Sequence, residues 1–169
     1  MSSQTAAELR RAFDQAFAEE PVLRAAELVP VLTVRFGGAP HALRLSEIAS
    51  IHTERKLVGL PSALPELLGL AALRNVLVPV YDLAACLGYA PGLAADCFLL
   101  AKAPVPVGLA CAAPDSLRHV ASSAFSPGPG AGRSHFAGSV RIGDELPLID
   151  VPSILRRIES AKKLHAKGG

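Results

Sequence analysis

One pattern of ten residues occurs twice in the chain. Val78–Leu87 reads VPVYDLAACL, Leu146–Leu155 reads LPLIDVPSIL, and the two align without a gap. In each copy an apolar run carries a proline three residues before an aspartate, and more apolar residues follow at helical spacing. A carboxylate at that point can accept hydrogen bonds from the first N–H groups of a helix, so Asp82 and Asp150 are predicted to be N-caps. The repetition predicts two copies of one structural unit.

Short apolar runs surround both copies. Pairs of such runs flank three turn sequences, which predicts β-hairpins at Gly37-Gly38, Arg74-Asn75 and Gly143-Asp144. Further runs at 97–101, 105–111 and 117–121 predict more strands. Each copy would then close a series of about five strands, and a small closed barrel would remove their exposed edges. The predicted fold is therefore mostly β, with two halves that divide near 88–96, where Gly and Pro accumulate.

Helices are predicted at both ends of the chain and at two places in between, after Ser62 and after Asp82. Thr5–Glu8 forms a capping box ahead of a helix that ends near Glu20. Ser62 is the expected cap of a short helical turn that stops at Gly69. The predicted organisation is an N-terminal helix and linker (1–29), a folded domain (30–158) with its own helix after Asp150, and a basic C-terminal tail (159–169).

The composition excludes several classes of function. The 169 residues are 50% hydrophobic, but the charge-free stretches Leu83–Ala95 and Ala103–Pro114 are too short to span a bilayer, so we expect a cytoplasmic protein without direct membrane insertion. The net charge is only +2, and there are two Tyr and no Trp to stack on bases. We therefore expect no nucleic-acid partner. A small barrel that binds nucleic acid through its basic C-terminal helix is the outside alternative.

The residues show no constellation that would do chemistry. No Gly-x-Ser-x-Gly motif is present, and the five histidines lack the spacing of metal ligands. Cys86, Cys97 and Cys111 form no Cys-x-x-Cys motif and are predicted to be small buried apolar groups. We therefore expect no catalytic residue, no metal and no cofactor.

The remaining candidate for a functional residue is Arg74, which is predicted to lie on the surface. Arg74 occupies a hairpin tip within Leu60–Val80, where the only other charge is Glu66. One interpretation is a solvated turn arginine. The other is a guanidinium presented beside apolar surface, which is typical of residues that anchor protein interfaces.

The same region carries a family resemblance. Gly69–Leu83 reads GLAALRNVLVPVYDL and resembles the signature of CheW-like domains, which usually runs Gly-x3-Leu-Arg-Gly-x3-Pro, then two hydrophobic residues and Asp-Leu. The likeness extends from about Pro30 to Ile158 and is strongest over Leu60–Gly88.

This resemblance implies two five-stranded SH3-like barrels side by side. It also implies a noncatalytic adaptor that couples chemoreceptors to a CheA-type histidine kinase, within cytoplasmic arrays at the membrane. The implied partners are the regulatory domain of the kinase and the signalling tip of the receptor, which packs between the barrels near the motif arginine. That arginine is Arg74 here, with Asn75 beside it. Leu57, Val58 and Leu60 are partner-facing candidates, with barrel core as the equal alternative.

The sequence also departs from the family pattern. Asn75 replaces the usual glycine, and Ser50 stands where many members have an acid able to pair with the arginine. The stretch 110–113, ACAA, replaces an acidic one. A divergent relative that lacks kinase coupling, and binds only a receptor or a localisation protein, is therefore the second hypothesis.

Overall fold

The computed structural model describes residues 27–53, 56–91, 95–127 and 135–167. The helix predicted for residues 5–20 lies outside the described residues, as does most of the Gly- and Pro-rich segment 126–134. The described chain is mostly β, as predicted. Its strands are β1 (Leu28–Phe36), β2 (Ala39–Arg44), β3 (Ile48–His52), β4 (Leu57–Val58), β5 (Leu67–Leu73), β6 (Val76–Asp82), β7 (Cys97–Ala101), β8 (Gly108–Cys111), β9 (Ser116–Ala121), β10 (Phe125–Ser126), β11 (Phe136–Ile142) and β12 (Asp144–Ile149). Its α-helices are α1 (Leu83–Cys86) and α2 (Val151–Ala166), and short 3-10 turns occupy Leu45–Glu47 and Ser122–Ala124.

The strands form two six-stranded sheets of identical design. The first sheet has the order β10-β11-β12-β2-β1-β9, and the second has the order β4-β5-β6-β8-β7-β3. In each sheet only the central pair is parallel, β12 with β2 and β6 with β8, and the other pairs are antiparallel. The two copies seen in the sequence are thus two copies of one topology.

The two halves of the chain exchange their hairpins. The first sheet combines β9–β12 with the hairpin β1–β2 from the start of the chain, and the second combines β3–β6 with the later hairpin β7–β8. The prediction of five-stranded barrels built from consecutive strands is wrong in strand number and in strand partners. The two-residue strands β4 and β10 are too short to show an alternating pattern, and a sequence pattern cannot tell which distant strand completes a sheet.

The first sheet nevertheless curls strongly. Its edge strands β9 and β10 are at opposite ends of the strand order, yet only residues 122–124 separate them in the chain. A flat sheet of six strands would hold its edges about 24 Å apart. Four Cα steps reach at most about 14 Å. The sheet therefore bends toward a barrel, although among the described residues no strand pairing closes either sheet.

Alternation along the strands divides the apolar residues between separate cores. In β7, Cys97 and Leu99 face a core shared by both sheets, whereas Phe98 and Leu100 face a core enclosed by the second sheet alone. The first sheet encloses a third cluster of its own. Each fully buried Leu or Phe contributes about 1.5–3 kcal/mol. Burial of the apolar residues in the shared core therefore stabilises the contact between the two sheets.

The helices follow both copies of the repeated pattern. The Asp82 carboxylate accepts hydrogen bonds from the N–H groups of Ala84 at 2.9 Å and Ala85 at 3.3 Å, and that of Asp150 accepts one from Ser153 at 3.0 Å. At the start of α2, the carboxylate of Glu47 also accepts a hydrogen bond, from the Val151 N–H at 3.2 Å. Burial raises the pKa of Glu47.

A cluster of aromatic rings surrounds the buried His41 side chain. The ring of His41, which is 1% exposed, contacts those of Phe36, Tyr89 and Phe136, and its Nε2 lies 2.9 Å from the Tyr89 hydroxyl. Burial lowers the pKa of His41, so the neutral ring is favoured there.

The helical turn predicted after Ser62 is wrong. The Ser62 hydroxyl does accept a hydrogen bond from the Leu64 N–H at 3.0 Å, but no helix follows. The Asp82 N–H bonds to the Glu66 carbonyl at 2.8 Å, so hairpin pairing already begins there and Gly69 lies inside β5. Strand pairing has overridden a local helix signal.

Candidate functional site

The motif arginine lies at the tip of the β5–β6 hairpin. Arg74 and Asn75 both adopt left-handed backbone conformations, with φ of 51° and 62°, as the two central residues of a type I′ turn require. Asn tolerates this conformation better than most residues, which explains how it can stand in place of glycine. Both side chains are exposed. Within the described residues, Arg74 has no hydrogen-bond or ion-pair partner.

The hairpin behind this tip has an apolar face on each side. Ala71, Leu73, Val78 and Val80 point into the enclosed core of the second sheet. The alternate residues point the other way, where cross-strand pairing aligns Val58 with Leu70, Leu70 with Pro79, and Ala72 with Leu77. We call the surface formed by Val58, Leu70, Ala72, Leu77 and Pro79 the outer face.

The outer face is an exposed extension of the shared core. Tyr81, which follows Leu77 and Pro79 on the same side of β6, is buried in that core. Nearer the hairpin tip, the residues on this side of the sheet are exposed: Leu77 is 68% exposed and Val58 is 66% exposed. A contiguous apolar surface of this kind beside an unpaired guanidinium is typical of a protein interface.

The structure brings together only part of the predicted site. Val58 lies on the outer face, and Arg74 and Asn75 lie at its end. Leu57 pairs with Ala71, on the opposite side of the sheet, and Leu60 follows β4 at the end away from the tip; both are exposed. Four residues of the outer face were missed by the sequence interpretation: Leu70, Ala72, Leu77 and Pro79. Strand alternation could have found them, because an inward Val78 requires its neighbour Leu77 to point outward.

A glycine allows β4 to lie against this hairpin. Gly69 has a φ of +150°, and a Cβ atom there would lie 2.2 Å from the carbonyl oxygen of Val58. The ladder between β5 and β6 also shifts its register between Leu67 and Gly69. The first glycine of the motif therefore holds Val58 on the outer face.

Ser50 lies on the other edge strand of the second sheet. It belongs to β3, the edge strand opposite β4, and its hydroxyl is 2.8 Å from the His52 Nε2 atom. An acid at this position would not share a strand pair with the hairpin tip.

Two basic residues of α2 are engaged within the fold. The Arg157 guanidinium contacts the Glu66 carboxylate and donates a hydrogen bond to the Cys86 carbonyl at 2.9 Å. The Lys162 ammonium lies 5.8 Å from the centre of the Tyr81 ring. These contacts reduce the positive charge that the helix can offer to a polyanion.

The described part of the chain contains neither a cluster of metal ligands nor a helix that could span a membrane. No group of three or more His, Cys, Asp or Glu side chains is placed to hold a metal ion. None of the helices found there has the length and hydrophobicity of a membrane span.

These observations define a class of protein: a duplicated β protein that exposes an apolar sheet face beside an arginine at a hairpin tip. The chain belongs to the CheW-like domain family, whose model matches residues 30–159. The fold resembles the crystal structure of the scaffolding protein TtCheW from Thermoanaerobacter tengcongensis, with a TM-score of 0.65 at 13% sequence identity, over 72% of this chain and 88% of that one. No protein with a curated description matches the sequence.

Proposed function

We propose that this protein is a noncatalytic adaptor of chemosensory signalling that couples chemoreceptors to a CheA-type histidine kinase. Membership of the CheW-like family supports this role. The observation that carries the proposal is the outer face, with Leu77 68% exposed and Arg74 unpaired beside it within the described residues. Removal of such an apolar surface from water by a bound partner would be favourable.

The receptor signalling tip is the partner proposed for the outer face. The tip of a chemoreceptor is a helical coiled coil, and an apolar sheet face flanked by a guanidinium can accept the apolar stripe of a helix and pair with its carboxylates. The outer face continues the side of the sheet that packs on the other half, so a bound helix would contact the molecule between the two sheets.

The kinase regulatory domain is the partner proposed for the neighbouring edge. Leu57 and Leu60 are exposed there, at 37% and 42%, and do not belong to the outer face. The edge strand β4 has only two residues, so most of the pairing capacity of β5 on that side is unused within the described residues. A second protein could therefore bind this edge while the outer face is occupied.

Titrations of the purified chain against two fragments test the proposal. The fragments are a kinase regulatory domain and a receptor signalling fragment from the same source organism. Binding to both supports the adaptor role, and binding to the receptor alone would favour the divergent relative without kinase coupling. Binding to neither, with retention on DNA that falls steeply with salt, would contradict both and leave the nucleic-acid alternative.

A further inference from the structure

Two of the three cysteines face each other across one hairpin. Cys97 and Cys111 are directly paired in the antiparallel ladder of β7 and β8, and their Sγ atoms lie 3.5 Å apart. Both are free thiols, and both side chains are buried. A disulfide needs an S–S distance of about 2.05 Å and Cβ atoms about 3.8 Å apart. Opposite strand positions come within a small adjustment of this geometry.

We propose that Cys97 and Cys111 form a reversible oxidation site, which a small peroxide converts to an intrachain disulfide. Nothing in the adaptor role requires or excludes this chemistry, so the inference stands independently of the proposed function. Its consequence is a covalent link between β7 and β8, the hairpin that the second half of the chain contributes to the sheet carrying the outer face.

Access and ionisation support the reaction. Cys111 lines a cavity of about 110 Å³, together with Phe36, Asp82 and Ala112, which is large enough for a molecule the size of hydrogen peroxide. The hydrogen bond between the thiols lowers the pKa of Cys97 and raises that of Cys111, because one sulfur keeps the proton that stabilises the charge on the other. The thiolate that reacts with peroxide is therefore that of Cys97, whose Sγ atom lies 3.5 Å from that of Cys111, the residue that lines the cavity.

The reaction balances with peroxide as the oxidant. The thiolate of the pair attacks one peroxide oxygen, the O–O bond breaks, and a sulfenic acid and hydroxide form. The second sulfur then attacks the sulfenic sulfur, the S–O bond breaks, and hydroxide leaves. The hydroxides take up the two thiol protons, so two thiols and one peroxide give one disulfide and two waters. The two sulfurs lose two electrons, and the peroxide gains them.

Cys86 is a natural internal control. It is buried in α1, and burial raises its pKa to about 12, so it stays protonated and unreactive. Trypsin cleavage after Arg74, Lys102 and Arg118 places Cys97 and Cys111 in different peptides, but Cys86 shares the peptide of Cys97. The Cys86→Ala variant therefore makes the assignment of a crosslink unambiguous.

The experiment treats the full chain with hydrogen peroxide, blocks free thiols, and counts them after denaturation. We expect the count to fall from three to one in the native sequence and from two to none in Cys86→Ala, with the two peptides joined and the thiols restored by dithiothreitol. Cys97→Ala and Cys111→Ala should each keep two free thiols. Unreacted thiols in the native sequence, a link to Cys86, sulfinic acids without a crosslink, or disulfides between molecules would each overturn the proposal.

Discussion

The hairpins β5–β6 and β11–β12 occupy equivalent places in the two sheets and differ in what they expose. Pro79 and Pro147 hold the same register position, and inward residues are apolar in both hairpins. On the outer side, Leu70, Ala72 and Leu77 of the second sheet correspond to Ser139, Arg141 and Glu145 of the first, and Val58 of β4 corresponds to Ser126 of β10.

The difference separates folding from recognition. The outer side of β5–β6 is apolar although it faces water. On the outer side of β11–β12, the Ser139 hydroxyl donates a hydrogen bond to the Glu145 carboxylate at 2.5 Å. Both hairpins fold with the same inward pattern, so the outward apolar residues are not needed to build the hairpin. These residues are consistent with a surface on the second sheet that binds another protein.

The largest expected effect is on the unfolding free energy, when Gly69 beside β4 is replaced. Gly69→Ala places a Cβ atom against the Val58 carbonyl and imposes a strained φ, so we expect a loss of about 3 kcal/mol or more of unfolding free energy, measured by urea denaturation. The control is Gly143→Ala at the tip of β11–β12, which also has a positive φ but open space around it, and should cost about 1 kcal/mol. Equal losses in the two variants would show that the close approach of β4 does not matter.

The next effect concerns binding alone. Leu77→Glu gives β6 the residue that Glu145 supplies in β12, and we expect the affinity for a receptor signalling fragment to fall by about 2–4 kcal/mol, measured by calorimetry. Stability should change little because the side chain is mostly exposed. Leu117→Glu makes the same chemical change at an exposed leucine of the first sheet and should leave binding intact. An affinity loss from Leu117→Glu but none from Leu77→Glu would place the binding site on the first sheet and contradict the proposal.

The charge at the tip is expected to act in the same direction. Arg74→Glu should weaken the receptor complex by about 1.5–4 kcal/mol, since a repelling charge replaces an attracting one, while the melting temperature barely moves. Arg141→Glu, on the equivalent hairpin, is the control and should change the affinity by less than about 0.5 kcal/mol. A large drop in the melting temperature of Arg74→Glu would instead identify a structural arginine.

The smallest expected effect compares the two caps. Asp82 accepts two backbone hydrogen bonds and is 5% exposed, whereas Asp150 accepts one and is half-buried. Asp82→Ala should therefore cost about 2 kcal/mol of unfolding free energy and Asp150→Ala about 1 kcal/mol. The asparagine variants keep an accepting oxygen and should recover most of each loss. The opposite order of the two alanine variants would contradict the geometry of the caps.

The sequence predicts the local parts of this fold well. The β5–β6 hairpin follows from two apolar runs around Arg74-Asn75, the β11–β12 hairpin from Gly143-Asp144, and the duplication from the repeated pattern. Each is decided by neighbouring residues, whose turn and pairing preferences are visible in a short stretch.

Long-range pairing could not be predicted in the same way. The exchange of β1–β2 and β7–β8 between sheets depends on contacts between residues that are distant in the chain. The helical turn expected at Ser62 failed because the carbonyl of Glu66 pairs with Asp82, 16 positions away in the chain. The outer face was only partly predicted, because Leu77 reads as one more core residue until the inward side of β6 is known.

Hydrogen exchange of the full chain, with and without a receptor signalling fragment, can show which strands a bound receptor covers. We predict that the bound fragment slows exchange in β4, β5 and β6 and leaves β10, β11 and β12 unchanged, because only the hairpin of the second sheet presents an apolar outer face. Slowed exchange confined to β10–β12, or binding with no change in β4–β6, would contradict the account.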